Sequence, residues 1–160
     1  CKKSTSTIRD YDTVENYATE LEKLCLKCHD DSITFSFKTK EEGYITEYDF
    51  KYLGSLKVKR DNFKVIQRTI LSGLLPEALR ANVSLRLFLK GKLYGEYTGF
   101  DMLHKIKVVS NTLCLYDSRT KTKAFFKLKD SIPNNLYFPH EENDSGLIGE
   151  MFYFNKYQHR

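Results

Sequence analysis

The chain predicts a mainly β fold, an antiparallel sandwich or barrel of about eight strands with one amphipathic helix near its N-terminus. Three observations carry this. Apolar residues recur at helical spacing once, from about Thr13 to Cys28. After Ile33 the pattern changes to alternation in short runs separated by turn-sized gaps. Aromatic residues make up 14% of the chain, as eleven Tyr and eleven Phe, and these favour strands.

The helix has an expected start and a single apolar stripe. Asp12 is placed to cap it, with Glu15 three residues on completing a capping box. Val14, Tyr17, Ala18, Leu21, Leu24, Cys25 and Cys28 share one face, while Glu15, Glu20, Glu22 and Lys23 face away. Such a helix is expected to lay its stripe on a sheet.

The strands follow in order. Ile33, Phe35 and Phe37 alternate with polar residues, as do Tyr48, Phe50 and Tyr52, and then Leu56 and Val58. Each run reads as half-buried. Phe63 to Leu71 is apolar without a clear period. Pro76 to Asn82 reads as a turn or loop. Val83, Leu85, Leu87 and Leu89 give the cleanest alternation, and Gly91-Lys92 is expected to close a hairpin onto Leu93 to Tyr97. Ile106 to Val109 turns at Asn111 into Leu113 to Tyr116. Ser118 to Lys121 turns into Lys123 to Leu128. Leu147 to Phe154 closes the series, set apart by the acidic stretch His140 to Asp144, read as a solvated loop.

With 160 residues, one domain is expected over 12–160, large enough to bury a core without staples. No apolar run approaches the roughly 18 residues of a membrane helix. The net charge of +5 is uneven. Ser84 to Lys129 holds ten Lys and Arg against three Asp and Glu, or +7, whereas Asp130 to Arg160 holds two against five, or −3. The basic middle suits an acidic protein, phosphate groups or anionic lipid, or the solvent face of strands that lysines keep from pairing edge to edge. Arg119, Lys121 and Lys123, at the tip of one turn, are the candidate contact residues. No nucleic-acid motif is present, so no nucleic-acid partner is expected.

Cys25-Leu26-Lys27-Cys28-His29 has the form C-x-x-C-H. In that form two thiols add to haem vinyl groups and the adjacent imidazole takes the iron. Met102 and His104 are conceivable sixth ligands. Against haem, a β pattern follows where a c-type cytochrome continues as helix. The alternatives are thiols packed on the helix stripe, a local disulfide or one to Cys114, and a redox-active pair. No metal site is expected. The nucleophile-elbow, zinc-protease and phosphate-loop motifs are all absent, so no catalytic residues are assigned.

The chain begins Cys1-Lys2-Lys3-Ser4-Thr5-Ser6-Thr7. This start resembles the mature end of a bacterial lipoprotein. With Gly54-Ser55-Leu56-Lys57 and Asp130-Ser131-Ile132-Pro133, the body resembles small lipoproteins of Bacteroidota. The resemblance implies lipidation at Cys1, a flexible tether over 1–11 and a membrane partner reached through that lipid. It also implies a place in the cell envelope. Lys2 and Lys3 are opposite in charge to the acidic residues associated with surface export, so the periplasmic side is expected. On this basis the first expectation is a non-enzymatic, lipid-anchored protein that binds another protein or envelope component, one concrete version being an immunity lipoprotein. The second is a c-type haem redox protein through Cys25, Cys28 and His29. The third is a small-ligand binder with a pocket between its sheets.

Overall fold

The computed structural model describes residues 11–74, 78–143 and 146–158. One helix, α1 (Tyr11–Cys28), precedes ten strands. These are β1 (Thr34–Glu41), β2 (Tyr44–Val58), β3 (Asp61–Leu74), β4 (Arg80–Leu89), β5 (Lys92–Phe100), β6 (His104–Val109), β7 (Thr112–Asp117), β8 (Thr122–Lys127), β9 (Asn135–Asn143) and β10 (Gly146–Lys156). A seven-stranded sheet runs β1-β2-β3-β4-β5-β10-β9 and a three-stranded sheet runs β6-β7-β8. All pairings are antiparallel. The expected mainly β, antiparallel architecture with an N-terminal helix is the one formed, with ten strands rather than about eight. It is sandwich-like and open, the large sheet ending at β1 and β9 without closing into a barrel.

Three layers enclose two cores. Val14, Ala18, Leu21 and Cys25 of α1 bury against Phe35, Phe37, Phe50, Ile66 and Phe88 on one face of the large sheet. Leu24, expected on the same stripe, is half-exposed, so the apolar stripe is narrower than the spacing implied. The helix begins at Tyr11, which puts Asp12 inside it rather than ahead of it. The second core lies between the sheets, where Leu56, Val65, Leu85, Leu87, Phe138 and Phe152 meet Ile106, Leu113 and Leu115.

A bulge decides which half of β2 serves which core. Tyr48, Phe50 and Tyr52 face the helix, and uninterrupted alternation would send Leu56 and Val58 to the same side. The pairing with β3 shifts register between Tyr52 and Gly54. One added residue reverses the faces, so Leu53, Leu56 and Val58 enter the core between the sheets. Gly54 adopts φ +137°, and a Cβ there would stand 3.3 Å from Val108 on β6. The strand has this freedom only because the residue is glycine.

β3 and β4 are covered on both faces. Phe63 and Val65 point into one core and Ile66 into the other, which is why Phe63 to Leu71 shows no clean period. Two-residue hairpin turns fix the registers, each with both residues at positive φ: Glu42-Gly43, Lys90-Gly91 and Ser110-Asn111. The β4–β5 turn is therefore Lys90-Gly91, flanked by the pair Leu89 and Lys92, one residue earlier than expected. The backbone of 140–143 is not a loop but the end of β9. Pro139 fits because β9 is an edge strand, where a missing N–H breaks no ladder.

Candidate functional site

The side chains that converge at one end of the sandwich come from five places in the fold. Asp101 follows β5, His104 opens β6, Asp117 ends β7, Arg119 lies in the next turn and Glu150 sits on β10. Alternation carries Asp117 inward with Leu113 and Leu115, and His104 inward with Ile106. Both side chains are 1% exposed. The His104 ring is edge-on to Phe100 and Phe152. Its Nε2 lies 2.7 Å from Glu150 Oε2 and 3.5 Å from Asp117 Oδ2.

Arg119 ties the carboxylates together. Its Nη2 reaches Asp101 Oδ2 at 3.1 Å, Asp117 Oδ2 at 3.0 Å and Glu150 Oε1 at 3.2 Å. Its backbone N–H donates to Asp117 Oδ1 at 2.8 Å. Burial works against the Asp117 charge, yet the side-chain and backbone hydrogen bonds from Arg119 outweigh it and hold the carboxyl below its usual range. The hydrogen bonds that Arg119 donates to Asp117 raise its guanidinium in turn.

His104, Asp117 and Glu150 bring one ligand atom each within 4.8 Å of one another, close enough for a divalent cation. The histidine is set for a different task. A ligating imidazole offers a lone pair from one nitrogen and donates its other N–H to an acceptor. Here Nδ1 faces a donor, the Asp101 backbone N–H at 3.0 Å. Asp101 Oδ1 lies 3.2 Å from the same nitrogen but accepts from the Leu103 N–H at 2.8 Å. With Nδ1 accepting from the Asp101 N–H, the ring donates from Nε2 to Glu150. With Arg119 spanning the carboxylates, the group is a charged clasp between the two sheets.

The opposite end of β6 has a second tie. Asn111, in the β6–β7 turn, accepts from the Lys57 N–H with Oδ1 and donates to the Lys57 carbonyl with Nδ2 at 3.2 Å. The small sheet is thus held at both ends, and its outer face stays open. That face is a grid of three rows across β6, β7 and β8: Lys105–Tyr116–Lys123, Lys107–Cys114–Phe125 and Val109–Thr112–Lys127. It carries four lysines and no carboxylate. Phe125 is 66% exposed and Val109 54%. A shallow depression of about 470 Å³ runs over it. The Lys123 ammonium stands 5.9 Å from the Tyr116 ring centroid.

The three expected contact residues separate. Lys123 is on the open face, Lys121 turns the chain at φ +56°, and Arg119 folds back into the clasp. The C-x-x-C-H residues also separate. Cys25 is fully buried and free, Cys28 is disulfide-bonded, and Cys114 is free. Neither a local bond between Cys25 and Cys28 nor one to Cys114 forms. Burial, aided by the Glu22 charge, pushes the Cys25 thiol up to about 12. His29 leaves the helix at φ +50° with its ring 5.3 Å from that of Tyr52. Cys1, the expected lipidation site, and the tether over 1–10 lie outside the described residues. Among the described residues no helix is long and apolar enough to cross a membrane.

The clasp was not foreseen, although its signal is in the chain. An aspartate in phase with Leu113 and Leu115, and a histidine in phase with Ile106, are ionisable groups at core positions. No protein-family model, curated protein or solved structure matches the chain.

Proposed function

We propose that this is a binding domain, not an enzyme, and that the outer face of β6-β7-β8 docks an acidic surface of another protein. The observation that carries the reading is the grid itself, with Phe125 and Val109 exposed and Tyr116 half-buried among Lys105, Lys107, Lys123 and Lys127 and no acidic residue on the face. An aromatic centre with a charged rim is the anatomy of a protein-binding patch. The sign of the rim selects a partner rich in Asp and Glu and speeds its approach. Lysines that only guarded a sheet edge would not need a bare phenylalanine between them.

The test is retention of partners from an extract of the protein's own cells, comparing wild type with Lys107→Glu/Lys123→Glu and with Phe125→Ser. The expected result is an acidic protein held by wild type, lost with both variants and released as salt is raised. Equal retention by all three proteins, or no protein retained by wild type, rejects the reading.

A further inference from the structure

The helix-side face of the large sheet holds two partly buried arginines that are not equally satisfied. Arg86 is saturated. Its Nε and Nη2 form a fork onto Glu22 at 2.6 and 2.9 Å, and its Nη1 donates to Glu96 Oε2 at 3.0 Å. Arg68, paired with Ser84 in the neighbouring register position, has one weaker contact, Nη2 to the same Glu96 oxygen at 3.4 Å. Its Nε is buried with no hydrogen-bond partner. Burial, and then the Arg86 charge, pull the Arg68 guanidinium down from its usual value. For Arg86 burial acts the same way, but the Glu22 contacts outweigh it. Glu22 is taken up by Arg86 and Glu96 is shared between the two arginines, which leaves the Arg68 guanidinium with a single 3.4 Å contact.

Beside it is open space. A cleft of about 260 Å³ lies between α1 and strands β2 to β4, and Arg68 lines it with Thr19, Glu22, Tyr48, Phe50 and Ile70. We propose that this cleft is a binding site for a small monocarboxylate, whose oxygens take the part of the Arg68 guanidinium that lines it. The planar guanidinium fork matches a carboxylate, and a lysine would not reproduce it. Glu15 and Glu22 on the helix side of the cleft disfavour multiply charged anions such as phosphate. Tyr48, Phe50 and Ile70 favour a short apolar or aromatic tail. The volume is below that of drug-sized pockets, so the ligand is small. Its carboxylate can belong to a free organic acid or to the end of a peptide chain.

The experiment is an NMR titration of the whole protein with benzoate, with an N-acetylated dipeptide ending in Phe, and with inorganic phosphate. Saturable shifts in α1, β2 and β3 with benzoate or the peptide, but not with phosphate, are expected, and the tighter of the two identifies the source. Arg68→Gln and Arg68→Lys are each expected to weaken binding at least tenfold. Thr19→Trp, which fills the cleft and leaves Arg68 in place, is expected to abolish it, and keeps the test valid if the Arg68 variants misfold. No saturation by either carboxylate up to about 10 mM, unchanged affinity in a folded Arg68→Gln or Thr19→Trp, or phosphate binding as tightly as benzoate would each overturn the proposal.

Discussion

His104 on β6 and Glu150 on β10 face each other across the sandwich, Nε2 to Oε2 at 2.7 Å. They form one direct polar link between the small sheet and the large one at this end, beside the one from Arg119 to Glu150. The His104 ring is nearly inaccessible, and a buried donor without its acceptor costs about 1–3 kcal/mol. Glu150→Ala is therefore expected to destabilise the fold by about that amount, and Glu150→Gln, which keeps an acceptor, by less. Urea unfolding followed by tyrosine fluorescence reads both. Equal losses would mean that the hydrogen bond is not what matters.

Asp117 makes part of the stability depend on pH. Its carboxyl is held below its usual range in the folded chain, so the unfolded chain binds the proton more readily. The contribution is present above the ordinary carboxylate value of about 3.9 and is lost as pH falls through the folded value. Asp117→Asn is expected to lower the urea midpoint at pH 7, with the gap from wild type closing below about pH 4. A gap of constant size from pH 7 to pH 3 would show that the charge contributes nothing.

The Glu22–Arg86 pair joins α1 to β4 with both partners largely buried. Breaking one side strands the other charge. Arg86→Ala is expected to cost about 3–5 kcal/mol, while the double variant Arg86→Met/Glu22→Leu is expected to recover most of it. A double-mutant cycle in urea measures the coupling, and simple additivity would rule out the pairing as the source.

Gly54 is where backbone freedom is required. Gly54→Ala places a Cβ at φ +137°, against Val108, and is expected to cost about 1–3 kcal/mol. Trimming the neighbour with Val108→Ala removes the Cγ1 contact but leaves the Cβ contact and the dihedral, so it is expected to rescue only part of the loss. Full rescue would place the whole effect in the contact.

The two free thiols among the described residues differ in reach. Cys114 is partly exposed on the open face, whereas Cys25 is fully buried with its thiol pushed up to about 12. Iodoacetamide at pH 8 is expected to modify Cys114 in the native protein and Cys25 only in urea. Peptide mass mapping distinguishes them, and rapid native labelling of Cys25 would contradict its burial beneath α1.

The sequence by itself determined the local elements: the helix from its 3.6-residue stripe, most strands from their alternation, and the Ser110-Asn111 hairpin from a residue that tolerates positive φ. These features depend on neighbours a few positions away, so they can be read along the chain. Only the tertiary structure decided which face each residue serves. The step at Leu53-Gly54 turns the second half of β2 to the other core, and nothing in the alternation of Tyr48, Phe50, Leu56 and Val58 shows it. β9 escaped notice because an edge strand with Pro139 has little apolar pattern to display. The partners of the core charges were equally hidden. Glu150 lies 46 residues from His104 and Arg86 lies 64 from Glu22. A charge at a core position signals that it must be paired, but the partner is set by strand order and register, which exist only once the sheets have formed.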